Sequence, residues 1–301
     1  MSLAISVVVP AYGGVDLLRR NLPLILTELD AYREASGEPT ELIVVDDGSP
    51  EPLHLELAEP FPHVRFLARS VNGGFAVAAN EGVRAAQHPL VFLMNSDVSV
   101  HAGFLAPLVE ELRAAGGLER FAVTPCVRLD GEVRRIESFV ALDRDGGRVT
   151  LRQPGLDEAG SVPTEAVDVD FPLGGAMLVW RARFEELGGF DRSFAPFYLE
   201  DADLGLRARR FGWRTRYVPA SVVDHHHRGT IGTHVTERCV RAAIERNRWL
   251  LTRAEDRARG SEGERRDWLP AALNALVSAA RSGTLRDEAT WLALGDVDQA
   301  P

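Results

Sequence analysis

The sequence predicts an α/β protein with a mixed, mostly parallel sheet flanked by helices and followed by a C-terminal helical tail. Three observations carry this. Short runs such as "ISVVVP", "ELIVVDD" and "PLVFLM" are apolar and largely β-branched, as in strands buried on both faces. Helical stretches separate these runs, which is the pattern of βαβ units. Three of the runs end in polar clusters, and α/β sheets bind ligands beyond the carboxyl ends of their strands.

Taken in order, "ISVVVP" is the first strand. A helix follows from about Val15 to Ala35, with Leu17, Leu18, Leu22, Ile25 and Leu29 spaced for one apolar face. "ELIVVDDGS" is a second strand ending in two carboxylates and a turn, and "VRFLAR" a third. "NGGFAVAANEGVRAA" reads as Asn72 near a cap, a Gly pair and an Ala-rich helix, and "PLVFLMNSD" as the fourth strand. Residues 127–168 are irregular, with a hairpin expected around "RIESFVALDRDGGRVTLR". Order returns from "DFPLGGAMLVW" to "YVPASVVDHHH". Two amphipathic stretches, "RCVRAAIERNRWLLTRA" and "WLPAALNALVSAAR", form the tail. The expected division is a domain over 1–235, with a nucleotide-binding half at 1–100 and an acceptor or catalytic half at 101–235, and a tail over 236–301.

Composition narrows the function. The 301 residues carry a net charge of −10, which argues against broad binding to nucleic acid or anionic membrane. All 34 basic residues are arginine, so a P-loop with its lysine is excluded. Two cysteines cannot build a disulfide framework and fit a reducing compartment. "MSLAISVVVPAYGG" lacks a basic n-region, and no apolar run reaches the ~18 residues of a membrane span. The expectation is a cytoplasmic protein, at most peripheral to the inner face of the cell membrane.

The polar endings supply candidate residues. Pro10-Ala11-Tyr12, Asp46-Asp47-Gly48-Ser49 and Asn95-Ser96-Asp97 share one rim. Asp97 beside Asn95 and Ser96 suits a hard divalent cation; a strand-ending Asp also serves as an ordinary cap. Asp46 and Asp47 can accept hydrogen bonds from a base or ribose; Asp-Gly-Ser is also common turn chemistry. The glycines of "NGGFAVAAN" precede a helix N-terminus, which favours phosphate, but their spacing is not a dinucleotide fingerprint. In "YLEDADLGLRARRFGW", Asp201, Leu204, Ala208 and Phe211 fall on one helical face, and Asp203 and Arg207 form an i,i+4 surface ion pair on another. Asp201 therefore points inward, as a candidate general base. His225, His226 and His227 could hold a metal or phosphate, or be exposed loop residues. Trp213 and Trp249 read as packing residues. "ERNRWLL" reads as a solvated helix face, with a phosphate-contacting arginine pair as the alternative.

In this order, "SVVVPAYGG", "ELIVVDDGS", "NGGFAVAANEGV", "FLMNSDV", "GGAMLVWRARFEELGGFDRSFAPFYLEDADLGLRARRFGW" and "YVPASVVDHH" resemble the inverting glycosyltransferases of family 2, with the GT-A fold. The set covers roughly Ile5 to Gly232 and is closest to bacterial rhamnosyltransferase-like members. The resemblance implies a metal-dependent, hexosyltransferase-type enzyme. It would move a sugar from a dTDP-, UDP- or GDP-sugar to a glycan or lipid-linked glycan acceptor in bacterial surface polysaccharide or glycoconjugate synthesis. It implies a donor site built from Pro10, Ala11, Tyr12, Asp46, Asp47, Asn72, Gly74, Asn80, Asn95, Ser96, Asp97 and Gly175. Asp97 and His225 would hold Mg²⁺ or Mn²⁺, Asp201 would be the base, and Glu200 an acceptor-binding partner. "NSD" stands where the family carries D-x-D, so Asn95 departs from the pattern. The histidine register stays open among His225, His226 and His227.

Two rivals share some features. A sugar-nucleotide nucleotidyltransferase begins with a Gly-rich basic loop after its first strand, which "PAYGGVD" lacks. A non-catalytic nucleotide-sugar binding module would not need "LEDAD". A membrane-resting tail and a homo-oligomer built through it are further expectations.

Overall fold

Strand β1 (Ile5–Ala11) is buried at every position and lies between β2 (Thr40–Asp46) and β4 (Leu90–Met94), both parallel to it. The structure, a computed structural model, describes residues 2–114, 119–145, 147–157, 162–226 and 237–259. β3 (Val64–Ala68) extends the parallel half beyond β2. On the other side the sheet turns mixed. β10 (Ala176–Trp180) runs antiparallel to both β4 and β6 (Arg120–Leu129), and β11 (Arg214–His225) runs parallel to β6. β5 (Val98–Val100) and β9 (Val167–Val169) pair antiparallel with β11. The path is β3-β2-β1-β4-β10-β6-β11-β5.

Helices cover both faces, as the doubly apolar strands require. Alternation along β1 sends Ile5, Val7 and Val9 toward α1 (Val15–Ser36) and α4 (Leu105–Arg113), where Leu18, Leu22, Ile25 and Leu108 are buried. Val8 faces the opposite way, toward α3 (Phe75–Ala85), α6 (Arg181–Glu186) and α7 (Glu200–Arg210), with Ala78, Ala79, Phe184 and Leu204. Each such aliphatic side chain contributes about 1.5–3 kcal/mol on leaving water. Two short helices, α2 (Leu53–Leu57) and α5 (Pro154–Asp157), complete these layers.

The fourth strand ends sooner than its sequence suggests. "VFLMNSDVSV" divides into β4 and β5, which lie at different places in the sheet. The four Cα steps from Met94 to Val98 span at most about 14 Å. The far edge must therefore curl back toward β4. β11 has a register shift between Val218 and Val222, and such irregularities bend a strand. The curl delivers the end of β11 to the polar turn: His226 N–H donates to the Asp97 carbonyl at 3.0 Å.

A hairpin, β7 (Ala141–Asp145) with β8 (Arg148–Arg152), forms within the irregular stretch. The first tail stretch is helix α8 (Glu237–Arg259), and it packs on the domain. Leu251 is buried in a cluster with Val149, Phe194, Leu199 and Leu206. Val149 N–H donates to Thr252 Oγ1 at 3.0 Å, and Arg148 pairs with Glu245 at 2.8 Å. The second tail stretch lies outside the described residues. No helix among the described residues is long and apolar enough to cross a membrane.

Two expectations about α7 are corrected. Phe211 lies past the last turn, 55% exposed and stacked on Trp213, because the helix stops at Arg210. Asp203 and Arg207 do pair, at 2.7 Å, but Asp203 is buried. Arg207 is held there by the Leu187 and Gly189 carbonyls, at 2.6 and 2.8 Å.

Candidate active site

The strand ends open onto one cavity of about 530 Å³. Pro10, Ala11, Tyr12, Asp47, Asn72, Gly74, Asn95, Ser96, Asp97, Gly175, Glu200, Asp201 and His225 all line it. Thus thirteen of the fifteen expected site residues meet at one place, although they come from β1, β11, α7 and five loops.

Asp46 and Asn80 do not reach the cavity. Asp46 is fully engaged in its own turn: Ser49 N–H donates to Oδ1 at 2.9 Å and Leu53 N–H to Oδ2 at 2.8 Å. Asn80 is turned into the core, where Nδ2 donates to the Phe190 carbonyl and Oδ1 accepts Phe190 N–H, both at 2.8 Å. Both side chains serve as backbone ties of the fold. Asp46→Ala would leave two buried N–H groups unpaired, about 1–3 kcal/mol each. A clear fall in Tm, with donor affinity retained in the folded protein, is the expected result. Lost affinity at unchanged Tm would return Asp46 to the donor site.

Asp47 faces the cavity while holding its wall. Gly73 and Gly74 N–H groups donate to Oδ1 and Oδ2 at 2.9 and 2.8 Å, and Arg69 Nε lies 3.1 Å from Oδ1. Burial outweighs these partners and pushes its carboxyl up to about 6. Asn72 Oδ1 also accepts Gly74 N–H, at 3.0 Å. Gly74 must be glycine: its φ is +82°, and a Cβ there would meet the Pro196 carbonyl at 2.7 Å. Gly175 leaves room for Asn95, whose amide nitrogen would lie 2.7 Å from a Cβ.

The polar turn after β4 is built from below. Buried Asn21 of α1 donates to the Ser96 carbonyl at 2.8 Å, and Asn95 N–H donates to the Gly175 carbonyl at 2.9 Å. This presents Asp97 to His225, with Oδ1 and Nε2 3.3 Å apart. His225 Nδ1 lies 2.5 Å from Glu137 Oε2. Burial lowers the imidazole's affinity for a proton, but Asp97 and Glu137 more than offset this and raise its pKa to about 10, so a cation bound at Nε2 would have to displace a proton. A carboxylate behind one imidazole nitrogen is how proteins orient a histidine metal ligand, and the other nitrogen faces Asp97. Asp97 and His225 are donors that suit Mg²⁺ or Mn²⁺. No three His, Cys, Asp or Glu side chains among the described residues converge on one point, so bound substrate or water would complete the coordination. His226 turns away, its Nε2 3.1 Å from Ser99 Oγ. His227 lies outside the described residues.

Across the cavity, Asp201 and Glu200 open α7. Asp201 accepts Gly174 N–H at 2.9 Å and Ala202 N–H at 2.8 Å. Burial raises both carboxyls, and Glu200 is pushed well above its ordinary range by burial and by its neighbour's charge. Asp201 has more N–H donors stabilising its anion, so of these two adjacent carboxyls Asp201 ionises first.

Glu137, Gln153 and Arg248 also line the cavity; neither Glu137 nor Gln153 was expected there, and Arg248 only under the alternative reading of "ERNRWLL". Glu137 and Gln153 lie in the irregular stretch, where no periodicity marks them. The "ERNRW" segment is not a solvated face: Arg246 and Asn247 are buried, and Arg248 reaches the cavity. Trp213 and Trp249 take packing roles, beneath Arg183 and Arg253 respectively.

Residues 6–119 match the family described as glycosyl transferase family 2. An N-acetylglucosaminyl-diphospho-decaprenol L-rhamnosyltransferase of Mycobacterium tuberculosis is 29% identical over 219 residues, covering 64% of this chain and 68% of the relative. A pre-mycofactocin glycosyltransferase of the same organism is 28% identical, covering 74% of this chain and 43% of its own length. Among solved structures, GalNAc-T7 with UDP, GalNAc and Mn²⁺ superposes with a TM-score of 0.62 at 18% identity, over 84% of this chain and 48% of that one. A Pyrobaculum calidifontis mannosyltransferase with GDP-Man and Mn²⁺ gives 0.56 at 22% identity, over 97% and 79%. The chain thus carries a glycosyl transferase family 2 match over residues 6–119 and is a glycosyltransferase built on the GT-A fold.

Proposed function

We propose that this glycosyltransferase moves a sugar, with inversion, from a nucleoside-diphosphate-sugar to an acceptor hydroxyl, with Mg²⁺ or Mn²⁺ at Asp97 and His225. The observation that carries the proposal is the cavity itself. One wall presents an anion paired with an oriented histidine, and the facing wall presents a base-competent carboxylate.

In this reading Tyr12 and Asp47 hold the nucleoside, and the turn from Asn95 to Asp97 holds the diphosphate end. A divalent cation bound there would offset the charge that develops on the leaving diphosphate. Asp201 takes the proton from the attacking hydroxyl, and Glu200 hydrogen-bonds the acceptor. A single displacement by that hydroxyl reverses the anomeric configuration, and its geometry asks for one base and no covalent nucleophile. The relative from M. tuberculosis is named for a lipid-diphosphate acceptor. By that likeness the acceptor here is a glycan carried on a lipid, in bacterial surface polysaccharide or glycoconjugate assembly, at the inner face of the membrane. The domain 1–235 would carry donor and catalytic groups, with residues 236–301 as its appended tail.

A thermal-shift panel of UDP-, GDP- and dTDP-sugars with Mn²⁺, Mg²⁺ or EDTA tests the donor site. Ligand at 100 times its Kd stabilises the native state by about 2.7 kcal/mol, which is read as a rise in Tm. The expected result is a shift with one nucleotide class that EDTA removes. Equal shifts with and without EDTA would overturn the metal assignment, and no shift with any donor would overturn the donor site.

A further inference from the structure

We propose that Arg246 and Asn247 of α8 are positioning residues that hold the backbone from which Asp201 acts, an inference that rests on the reading of Asp201 as the base. The segment 193–199 leads directly into α7. Its last two residues, Tyr198 and Leu199, have φ of 75° and 69°, a left-handed conformation that side-chain-bearing residues adopt only when the surroundings impose it. The next two residues are Glu200 and Asp201.

The surroundings that impose it come from a helix some fifty residues later in the chain. Asn247 Nδ2 donates to the carbonyls of Phe194, Phe197 and Tyr198 at 2.8, 3.0 and 2.8 Å. Arg246 Nη2 donates to the Ala195 carbonyl at 2.9 Å and to the Ser193 carbonyl. Five carbonyls of an irregular, buried segment therefore bond to two side chains of α8. Both side chains are buried, Asn247 completely. From the donor side, Phe75 N–H donates to the Pro196 carbonyl at 3.0 Å. The segment is thus gripped between the N-terminus of α3 and the middle of α8.

Neither Arg246 nor Asn247 lines the cavity, so neither touches substrate. Their effect passes through the segment. Asp203 N–H donates to the Leu199 carbonyl at 3.0 Å, closing the first turn of α7. A shift of Leu199 therefore carries the first turn, and Asp201, with it. Misplacing a reacting group by about 1 Å costs on the order of 10²-fold in rate.

The experiment uses the full chain with Asn247→Ala, Arg246→Ala and Arg246→Lys, with Asp201→Asn in parallel. The readouts are Tm, donor Kd, kcat and its pH profile. The expected result for Asn247→Ala is a fall in kcat on the order of 10²-fold, donor Kd unchanged, and a displaced acid limb of the pH profile. Arg246→Lys keeps a cationic donor and should recover most of the activity lost in Arg246→Ala. Where Asn247→Ala does not fold, Asn247→Ser, which keeps one hydroxyl donor, is read in its place. Normal kcat in folded variants would overturn the proposal. So would kcat falling only in proportion to the folded fraction, with the pH profile unmoved, since that is a purely structural role. Normal transfer by Asp201→Asn would instead overturn the base assignment, whatever the α8 variants do.

Discussion

Asp201→Asn should bind donor as the native protein does and transfer sugar about 10²–10⁴-fold more slowly, the usual contribution of general base catalysis. The substitution is nearly isosteric, but the Gly174 and Ala202 N–H groups bond to different carboxylate oxygens, so the amide oxygen keeps one of these bonds and loses the other. The shape of the side chain is thus retained while the basic oxygen is lost. The pH dependence follows from the same site. Burial raises the Asp201 carboxyl above its ordinary value, and only the ionised form accepts a proton. kcat should therefore rise with pH through that raised pKa, with an acid limb lying above the range of an exposed aspartate. Glu200 does not substitute for it, because burial and the Asp201 charge push the Glu200 carboxyl well above its ordinary range. Steady-state kinetics with separate donor-binding measurements checks the claim. Loss of donor binding together with kcat would make Asp201 a structural residue, and retained kcat would remove it from the mechanism.

Much of this arrangement is legible before any coordinates. Strands buried on both faces announce themselves as unbroken apolar runs, so β1, β2 and β4 and the polar rim beyond them follow from local pattern. The inward aim of Asp201 follows from helical spacing to Leu204 and Ala208, both buried. What local pattern cannot carry is competition for a side chain. Asp46 and Asp47 are neighbours with the same chemistry. Only the turn geometry decides that Asp46 ties Ser49 and Leu53 while Asp47 faces the cavity. Asn80 is lost to the Phe190 backbone, 110 residues away in sequence. The roles of Glu137 and of the "ERNRW" segment of α8 were unreadable for the same reason. Glu137 matters because β11 curls to bring His225 against it, and "ERNRW" matters because segment 193–199 needs partners for its carbonyls. Both are long-range contacts that leave no period in the sequence. The helical spacing of Phe211 was correct as arithmetic, but it assumed that the helix runs on through Phe211, whereas it ends at Arg210.

Asp97→Ala should abolish most of the metal-dependent part of donor binding. Removing a residue that merely orients a metal ligand typically costs 10–100-fold in affinity, so loss of the ligand itself should cost at least about that much. The structure makes the expectation sharper than sequence alone could. Asp97 Oδ1 and His225 Nε2 lie 3.3 Å apart, and the Asp97 carbonyl is tied to His226 N–H. The backbone of the turn is also held by Asn21 at Ser96 and by Gly175 at Asn95. None of the backbone ties uses the Asp97 carboxylate, so the variant should fold and keep the nucleoside end of the pocket, where Tyr12 and Asp47 are untouched. The distinguishing result is therefore a changed metal response, not a uniform loss. Calorimetry of donor with Mn²⁺ and with EDTA should give nearly equal affinities for Asp97→Ala, where the native protein shows a large difference. An undiminished difference would mean that any cation is held elsewhere, and that the Asp97–His225 pair serves only to fasten the curled end of β11 to the turn after β4.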